Sequence, residues 1–178
     1  MANALLVVDM VVGFLERGHN LYFEGYRDLI PNIQRLIEEE QAAGSRVFFL
    51  CDTHYADDLE FQMFPVHCVK GTEEPKVIRE LSRYEGEIIP KRRYSAFYET
   101  NLDERLAALG PEKVIICGVC TDICVMHTAA DARNRDYAVE VPVDCVATFD
   151  AEAHSFALQH MEKILGAELV RQPASTTG

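Results

Sequence analysis

The stretch Lys113-Val-Ile-Ile-Cys-Gly-Val119 is the most strand-like run in the chain, and the segment Cys120-Thr-Asp-Ile-Cys124 follows it directly. A continuous apolar run of this kind indicates a strand buried on both faces, as in a parallel sheet covered by helices. A helix is predicted to begin next and to run to about Arg135, because the side chain of Thr121 or Asp122 can cap the free amides of its first turn. Strand, turn and helix in this order are the repeating unit of an α/β fold.

The same alternation of apolar runs and amphipathic stretches extends over most of the chain. Strands are predicted at 4–8, 46–51, 86–90, 113–119, 137–143 and 167–170, and helices at about 29–43, 76–83, 102–109, 121–135 and 151–165. We therefore expect one domain over residues 1–178 with a doubly wound, Rossmann-like α/β fold, in which a mostly parallel sheet of five or six strands has helices on both faces. Residues 172–178 are predicted to be a frayed tail.

Composition and charge restrict the classes of function. The chain has 178 residues, 48% of them hydrophobic, and a formal net charge of −12 at pH 7. This acidic balance argues against binding to nucleic acid or to anionic membrane surfaces, because both require clustered cations. The first apolar run ends at Asp9, far short of a membrane span, and no basic signal-peptide segment precedes it. We expect a cytoplasmic protein whose cysteines are reduced. Its partner is expected to be a small molecule, and the sequence is compatible with a homo-oligomer.

Polar residues follow the predicted strands at the points where the strands end. They are Asp9, Asp52, Lys91 and the segment 118–124. The carboxyl ends of parallel strands meet at one edge of the sheet, where doubly wound folds bind their ligands. Asp9 stands between apolar residues, so its carboxylate should be partly buried and should need a partner, for which Lys91 is the nearest cation by topology. Cys124 lies in the first turn of a helix, where backbone amides and the helix dipole stabilise a nucleophilic thiolate.

A second group of candidate residues surrounds segment 53–75, which lacks clean periodicity and is predicted to be a long, functional loop. Asp52 and His54 should point to the same side of an extended backbone, because side chains on a strand alternate with a period of two. With Glu60 and His67 they form a mixed nitrogen and oxygen set that suits zinc, manganese or iron(II). The alternative, from spacing alone, is a loop with surface histidines.

The six cysteines offer another alternative. Cys117 and Cys120 form a C-x-x-C pair near Cys124, which is compatible with a metal or redox site. A single pair at the end of a strand is a weak signal, and a redox motif should open its helix with its first cysteine. Cys51, Cys117 and Cys145 lie within or at the ends of predicted strands, which indicates packing.

Taken together, these residues resemble the isochorismatase-like cysteine hydrolases, and among them the nicotinamidase (pyrazinamidase) family. The resemblance covers nearly the whole chain, from Asp9 to about Leu169. Its motifs are Asp9 with Phe14, Asp52-Thr-His54, Pro65-Val-His-Cys-Val-Lys-Gly-Thr72, Lys91 with Tyr94-Ser-Ala-Phe97, and Gly118 to Ala129. The last motif is highly specific for the superfamily, and the Asp-x-His motif points to nicotinamidases because several sister amidases lack it. The chain departs from the family pattern at Glu60, where some members use histidine, and at Cys120, where many carry alanine or leucine.

The resemblance implies the isochorismatase-like hydrolase fold and a set of catalytic residues. Cys124 would be the nucleophile, Asp9 would act first as base and then as acid, and Lys91 would hold both by its charge. The backbone amides of Cys120 and Cys124 would form the oxyanion hole. A cis peptide between Val119 and Cys120 would aim the first of these amides.

The resemblance also implies a cofactor and a substrate pocket. One divalent metal ion is expected, with zinc favoured over manganese or iron, and it would hold the pyridine nitrogen of nicotinamide. The implied metal ligands are Asp52, His54, Glu60 and His67. The implied substrate-binding residues are Phe14, Phe64, Tyr94 and Phe97.

The function implied is hydrolysis of the linear amide bond of nicotinamide, which gives nicotinate and ammonia through a thioester. Two other functions stay open. One is that of another isochorismatase-like hydrolase, acting on a different small amide or on isochorismate, and the other is a non-enzymatic or redox metal module. The complete set of aspartate, lysine and cysteine argues against the module, and the metal-binding set argues for nicotinamide.

Overall fold

The computed structural model describes residues 2–171, which form a parallel sheet with helices on both faces. The strands are β1 (Ala4–Val8), β2 (Arg46–Asp52), β3 (Glu87–Lys91), β4 (Val114–Val119), β5 (Val139–Pro142), β6 (Val146–Ala147) and β7 (Glu168–Val170). All pairings among these strands are parallel. The predicted doubly wound fold is confirmed, with seven strands instead of five or six. The sequence did not indicate β6 because two residues are too few to show a periodic pattern. The tail predicted at 172–178 lies outside the described residues.

The order of the strands determines where a site can form. It is β3-β2-β1-β4-β5-β7, and β6 also pairs with β4. The chain moves outward from β1 to β3, returns to β4 and then moves outward on the other side. The direction reverses between β1 and β4, and ligands bind at such a reversal, beyond the carboxyl ends of the strands. Asp9 follows β1 at this point, and the segment that carries Cys124 follows β4.

The helices cover both faces of the sheet. They are α1 (Val12–Leu15), α2 (Ile30–Ala42), α3 (Leu102–Leu109), α4 (Met126–Arg133) and α5 (Ala151–Lys163), with 3₁₀ turns at Glu24–Leu29, Leu59–Gln62 and Val143–Cys145 and a π-helical turn at Thr121–Val125. Val7 of β1 packs on one face with Ile33 of α2, and Leu6 packs on the other face with Leu106 of α3 and Ala129 of α4. Because β1 is covered on both sides, the residue that follows it is buried as well. No helix within residues 2–171 is long and apolar enough to cross a membrane.

Two local expectations were wrong. Residues 76–83 form turns instead of a helix. Ile78 and Leu81 are buried at helical spacing, but Val77 bridges Val11 and the Ile78 amide donates to the Met10 carbonyl, so contacts with a distant segment replace helical ones. The second error concerns the helix cap after β4.

At that cap position the structure has Cys120, and no side chain caps the turn. Thr121, one of the two predicted caps, is fully buried. Its hydroxyl lies 2.9 Å from His154 Nδ1 of α5, so its side chain bonds another helix and does not cap its own.

Gly118 allows the ends of β1 and β4 to approach each other closely. Its φ is +110°, and a Cβ atom built there would lie 2.0 Å from the Val8 carbonyl oxygen. Any other residue at this position would have to push the two strands apart. The close contact places the Cys124 turn beside the end of β1.

Candidate active site

Four residues predicted for the site meet at the carboxyl edge of the sheet. Asp9 follows β1, Asp52 ends β2 and Lys91 ends β3, while Cys124 lies in the π-helical turn after β4. Asp52 and Lys91 are in register on neighbouring strands. All four are buried, with exposed fractions between 0% and 8%. The structure therefore brings together the residues that the argument from strand ends selected.

The Lys91 ammonium group lies at the centre of this cluster. Its Nζ is 2.9 Å from Asp9 Oδ2, 3.3 Å from Asp52 Oδ1 and 3.4 Å from Cys124 Sγ. It also donates a hydrogen bond to the backbone carbonyl of Arg93, at 3.1 Å. Burial opposes a charge on Lys91, but the neighbouring carboxylates of Asp9 and Asp52 outweigh it and hold the pKa of Lys91 well above its ordinary value. Lys91 is therefore a permanent cation in the site.

The two carboxylate oxygens of Asp9 have different partners. Oδ1 accepts a hydrogen bond from the Asp52 amide at 2.9 Å, which fixes the orientation of the side chain. Oδ2 makes the ion pair with Lys91 and accepts no hydrogen bond within the described part of the chain. Burial raises the pKa of Asp9 to about 6, although the Lys91 charge lowers it. A carboxylate with a raised pKa and an open lone pair is suited to take up a proton near neutral pH.

The Cys124 sulfur is buried next to the Lys91 ammonium group. Burial raises the pKa of this thiol well above its ordinary value, and the charge of Lys91 offsets only part of the effect. The position of Cys124 in the first turn of a helix predicted a thiolate. Burial, which a linear sequence does not show, shifts the pKa in the opposite direction. A base must therefore remove the proton when the sulfur attacks, and Asp9 is the neighbouring carboxylate.

The four predicted metal ligands converge beside this cluster. Asp52 Oδ2 lies 2.9 Å from His54 Nε2 and 3.1 Å from His67 Nε2. Glu60 Oε1 lies 3.8 Å and 3.9 Å from the same two nitrogens. The four donor atoms lie within 4.8 Å of one another. Donors bound tetrahedrally at about 2.1 Å from one ion are separated by about 3.4 Å, so the set fits a single ion.

The outer nitrogens of both histidines are held by acceptors. His54 Nδ1 lies 3.0 Å from Asp58 Oδ2, and His67 Nδ1 lies 2.7 Å from the Pro65 carbonyl oxygen. A carbonyl or a carboxylate at Nδ1 requires the proton there, which leaves the Nε2 lone pair directed at the other ligands. This is the arrangement found around metal-bound histidines.

Charge also favours a cation at this point. Asp52, Asp58 and Glu60 are buried carboxylates. Burial opposes a charge on His54, yet Asp52 and Asp58 raise its pKa to about 9. The surrounding carboxylates thus favour the protonated, positively charged form of the imidazole. A divalent ion would supply that charge while the histidines stay neutral, so the donor set fits such an ion in charge as well as in distance.

A cavity of about 260 Å³ opens onto both groups of residues. Cys124, Asp52, Glu60 and His67 contribute to its wall. Most of the remaining wall is aromatic, and it comes from several segments of the chain. The aromatic lining residues are Phe14, Tyr22, Phe23, Tyr26, Phe64, Tyr94 and Phe149. The site can therefore enclose a flat apolar group between a nucleophile and a cation site.

Three of the four predicted substrate-binding residues line the cavity, namely Phe14, Phe64 and Tyr94. Phe97 does not. It is buried in the core on the face of α3 and α4, and the Arg135 guanidinium lies 4.4 Å above its ring. The motif spacing could not show that Tyr94 and Phe97 point to different places.

The segment before α2 contributes a part of the cavity wall that no sequence motif indicated. Leu21, Tyr22, Phe23 and Tyr26 all line the cavity. These residues lie between the first strand and the first long helix and have no strand or helix periodicity. The concentration of aromatic residues in such a segment was the one available signal.

Cys120 takes part in the cavity but not in a metal site. The Val119–Cys120 peptide is cis, as the resemblance implied. Cys120 Sγ lies 3.0 Å from the Tyr26 hydroxyl, while Cys117 is fully buried in the core. Among residues 2–171, no cysteine belongs to the group that is close enough to hold an ion. The structure therefore does not support a C-x-x-C metal site.

The sequence matches a known family over nearly its full length. The model of the Isochorismatase domain covers residues 3–172. The chain belongs to the isochorismatase family. The mostly parallel sheet with helices on both faces matches the isochorismatase-like α/β fold of the solved structures that follow.

Three solved structures of this family are similar to the chain. A pyrazinamidase/nicotinamidase from Streptococcus mutans is 32% identical, with a TM-score of 0.89 over 95% of this chain and 100% of that one. A pyrazinamidase of Pyrococcus horikoshii in complex with zinc is 29% identical, with a TM-score of 0.89 over 97% and 100%. An N-carbamoylsarcosine amidase from Thermoplasma acidophilum is 34% identical, with a TM-score of 0.88 over 98% and 99%. Isochorismatase-family proteins equally similar to this chain thus bear the names of different amidases.

Proposed function

We propose that the protein is a metal-dependent cysteine amidohydrolase that converts nicotinamide to nicotinate and ammonia. One observation carries this proposal: a single aromatic cavity is bordered by Cys124 and by the metal-binding group. A nicotinamide molecule has its amide and its ring nitrogen on the same flat ring. Its amide can therefore lie at Cys124 while its ring nitrogen lies at the metal-binding group. The similarity to a pyrazinamidase/nicotinamidase and to a zinc-bound pyrazinamidase supports the assignment.

The reaction would begin with transfer of the Cys124 proton to Asp9 Oδ2. The sulfur attacks the carboxamide carbon, and the carbonyl oxygen becomes an oxyanion that the backbone amides of Cys120 and Cys124 are predicted to stabilise. Asp9 then donates its proton to the amine nitrogen, the carbon–nitrogen bond breaks, and ammonia leaves. Lys91 stays charged throughout and favours the anionic forms of its two neighbours.

The second half of the reaction would regenerate the thiol. Asp9, again a carboxylate, takes a proton from water as the water oxygen attacks the thioester carbon. The carbon–sulfur bond breaks, the acid is released, and the sulfur regains its proton. The net change is that one amide and one water are consumed and one acid and one ammonia are formed. Asp9 serves as base and acid in turn, which its single open oxygen allows.

The metal-binding residues would serve to place the substrate. Asp52, His54, Glu60 and His67 would hold the ion, and zinc fits the nitrogen and oxygen donor set, with manganese and iron(II) as alternatives. When bound, the ion supplies a Lewis acid for the ring nitrogen of the substrate. Phe14 and Phe64 lie next to the His67 ring, with centroid distances of 5.9 Å and 6.4 Å, and would flank the substrate ring. Since Cys124 is the nucleophile, no metal-bound nucleophile is needed.

A second candidate is hydrolysis of a different small amide by the same catalytic residues. The similarity to an N-carbamoylsarcosine amidase favours it. If that amide were N-carbamoylsarcosine, it would carry no ring nitrogen, and the aromatic wall of the cavity would have no flat ring to enclose.

The test is ammonia release by purified protein of known metal content. Nicotinamide, benzamide and N-carbamoylsarcosine are the substrates, and Cys124→Ala is the control that removes the sulfur. We expect rapid release from nicotinamide, slow release from benzamide and none from the variant. Hydrolysis of N-carbamoylsarcosine with no activity on nicotinamide would replace the proposed substrate by the second candidate.

A further inference from the structure

Arg93 lies two residues after Lys91 and contacts both parts of the site. Its Nη1 donates to both carboxylate oxygens of Asp58, at 2.9 Å each, and lies 3.8 Å from Glu60 Oε2. Its backbone carbonyl accepts the hydrogen bond from Lys91 described above. The resemblance assigned no role to Arg93 or to Asp58. The structure places both directly behind the metal ligands.

Asp58 connects two of the four ligands. Its Oδ2 lies 3.0 Å from His54 Nδ1, and its Oδ1 accepts a hydrogen bond from the Glu60 amide at 2.9 Å. The second contact caps the 3₁₀ turn that carries Glu60. Asp58 is buried, so protein groups and not water set its orientation. The position of this carboxylate therefore determines both the angle of the His54 ring and the start of the Glu60 turn.

We infer that Asp58 and Arg93 are positioning residues that set the metal affinity of the Asp52, His54, Glu60 and His67 site. This inference rests on the metal-binding part of the proposed function. Asp58 holds His54 in one orientation and, by accepting a hydrogen bond from Nδ1–H, makes Nε2 a better metal ligand. Arg93 fixes Asp58 in turn, because a buried carboxylate without its cation would turn toward solvent or take up a proton. The pair acts through His54 and Glu60 and touches neither ion nor substrate.

The test is the zinc affinity of metal-free protein, measured by competition with a chromophoric chelator at fixed pH. Asp58→Asn and Arg93→Gln should each weaken zinc binding by about 10- to 100-fold, the range for outer partners of metal-bound histidines. Arg93→Lys should restore part of the affinity, since it keeps the charge but loses the planar guanidinium. The double variant Asp58→Asn/Arg93→Gln should bind zinc about as weakly as Asp58→Asn alone, because Arg93 acts through Asp58.

Arg92 provides a matched control one residue away. Its side chain pairs with the exposed Glu99, with Nη2 at 2.6 Å from Oε2, and it does not contact the ligands. Arg92→Gln should bind zinc like the wild type. Thermal unfolding of each metal-free variant separates lost affinity from a lost fold, and partial rescue by Arg93→Lys is a result that a general loss of packing would not produce.

The outcomes separate this inference from the proposed function. Zinc binding by wild type together with unchanged affinity in Arg93→Gln overturns the inference and leaves the proposed function standing. If the variants show the expected order of zinc affinities but the wild type does not hydrolyse nicotinamide, the inference is supported and the proposed substrate is overturned. If the wild type binds no zinc, the inference fails together with the metal site.

Discussion

At the scale of single residues, the chemistry depends on a carboxylate whose two oxygens are used differently. Asp9 Oδ1 is fixed by the Asp52 amide, and Oδ2 faces the Lys91 ammonium. An amide side chain can keep the first contact through its oxygen, but its nitrogen cannot accept a proton. Replacement by asparagine therefore separates the structural role of Asp9 from its role in proton transfer.

Asp9→Asn should lower kcat for nicotinamide by about 10²- to 10⁴-fold, the usual contribution of a general acid–base residue. The measurement is steady-state ammonia release, with the melting temperature as a check that the variant folds. The shape of the side chain is retained, so the fold should persist. Near-normal turnover in Asp9→Asn would show that the proton acceptor is another group.

The two cysteines in the cavity should differ sharply on substitution. Cys124→Ala should reduce turnover by at least about 10⁴-fold, because the nucleophile is removed. Cys120→Ala should keep most of the activity, since its thiol contacts the Tyr26 hydroxyl and has no part in the reaction. Ammonia release and mass spectrometry of the acyl-enzyme test both variants. If Cys120→Ala were inactive and Cys124→Ala active, the nucleophile would be assigned wrongly.

At the scale of elements, the approach of β4 to β1 holds the catalytic turn in place. Gly118 is the residue that permits it, because a side chain there would collide with the backbone of Val8. Asp9 follows Val8 in the chain, so a shift of β1 at this point would move the carboxylate away from Lys91 and Cys124.

Gly118→Ala should lower the free energy of unfolding by about 3 kcal/mol or more, since overpacking against backbone adds to the strain of positive φ. Gly110→Ala is the matched control. Gly110 also has a positive φ, of 58°, but open space surrounds it, so its cost should be only about 1–2 kcal/mol. Urea unfolding of both variants gives the comparison. Equal destabilisation would mean that the contact with Val8 relaxes at little cost.

Helices and strands could be predicted where the pattern of apolar residues in the sequence was long, and not where it was short. Ala4–Val8 is apolar over its whole length and Leu102–Leu109 has leucines at helical spacing from end to end, and the structure contains both elements with these bounds. Residues 76–83 have only two buried positions at helical spacing, and the bond from the Ile78 amide to Met10 overrides that weak preference. Short patterns are decided by contacts with distant segments.

At the scale of the whole molecule, the cavity joins parts of the chain that are far apart in sequence. The proposed nucleophile comes from the turn after β4, the candidate metal ligands come from β2 and the loop after it, and part of the aromatic wall comes from the segment before α2. A substrate that contacts all of these parts can bind well only if the fold places them correctly relative to one another. Its binding therefore tests their relative placement.

Removal of the metal should affect substrates according to their ring nitrogen. Chelation, His54→Ala or His67→Ala should raise KM for nicotinamide far more than KM for benzamide, because benzamide has no nitrogen for the ion to hold. Glu60→Ala should have a milder effect, since water can fill the position of one ligand. Steady-state kinetics on both amides, with metal content measured in parallel, gives the result. An equal loss on every amide would assign the ion to the chemistry or to the fold and would falsify the anchoring role.

The sequence by itself determined the fold class, the residues at the strand ends and the candidate metal ligands. The first two rest on the pattern of apolar runs and on the rule that parallel strands end at one edge, and the third rests on the Asp52-Thr-His54 spacing, the types of donor and the family resemblance. Only the tertiary structure decided that burial raises the pKa of Cys124, that Phe97 faces the core and that Arg93 holds Asp58. Each of these depends on packing between segments that are distant in sequence, such as the contact between Asp58 and Arg93 across 35 positions. Side-chain direction and burial are properties of that packing and have no local pattern to predict them.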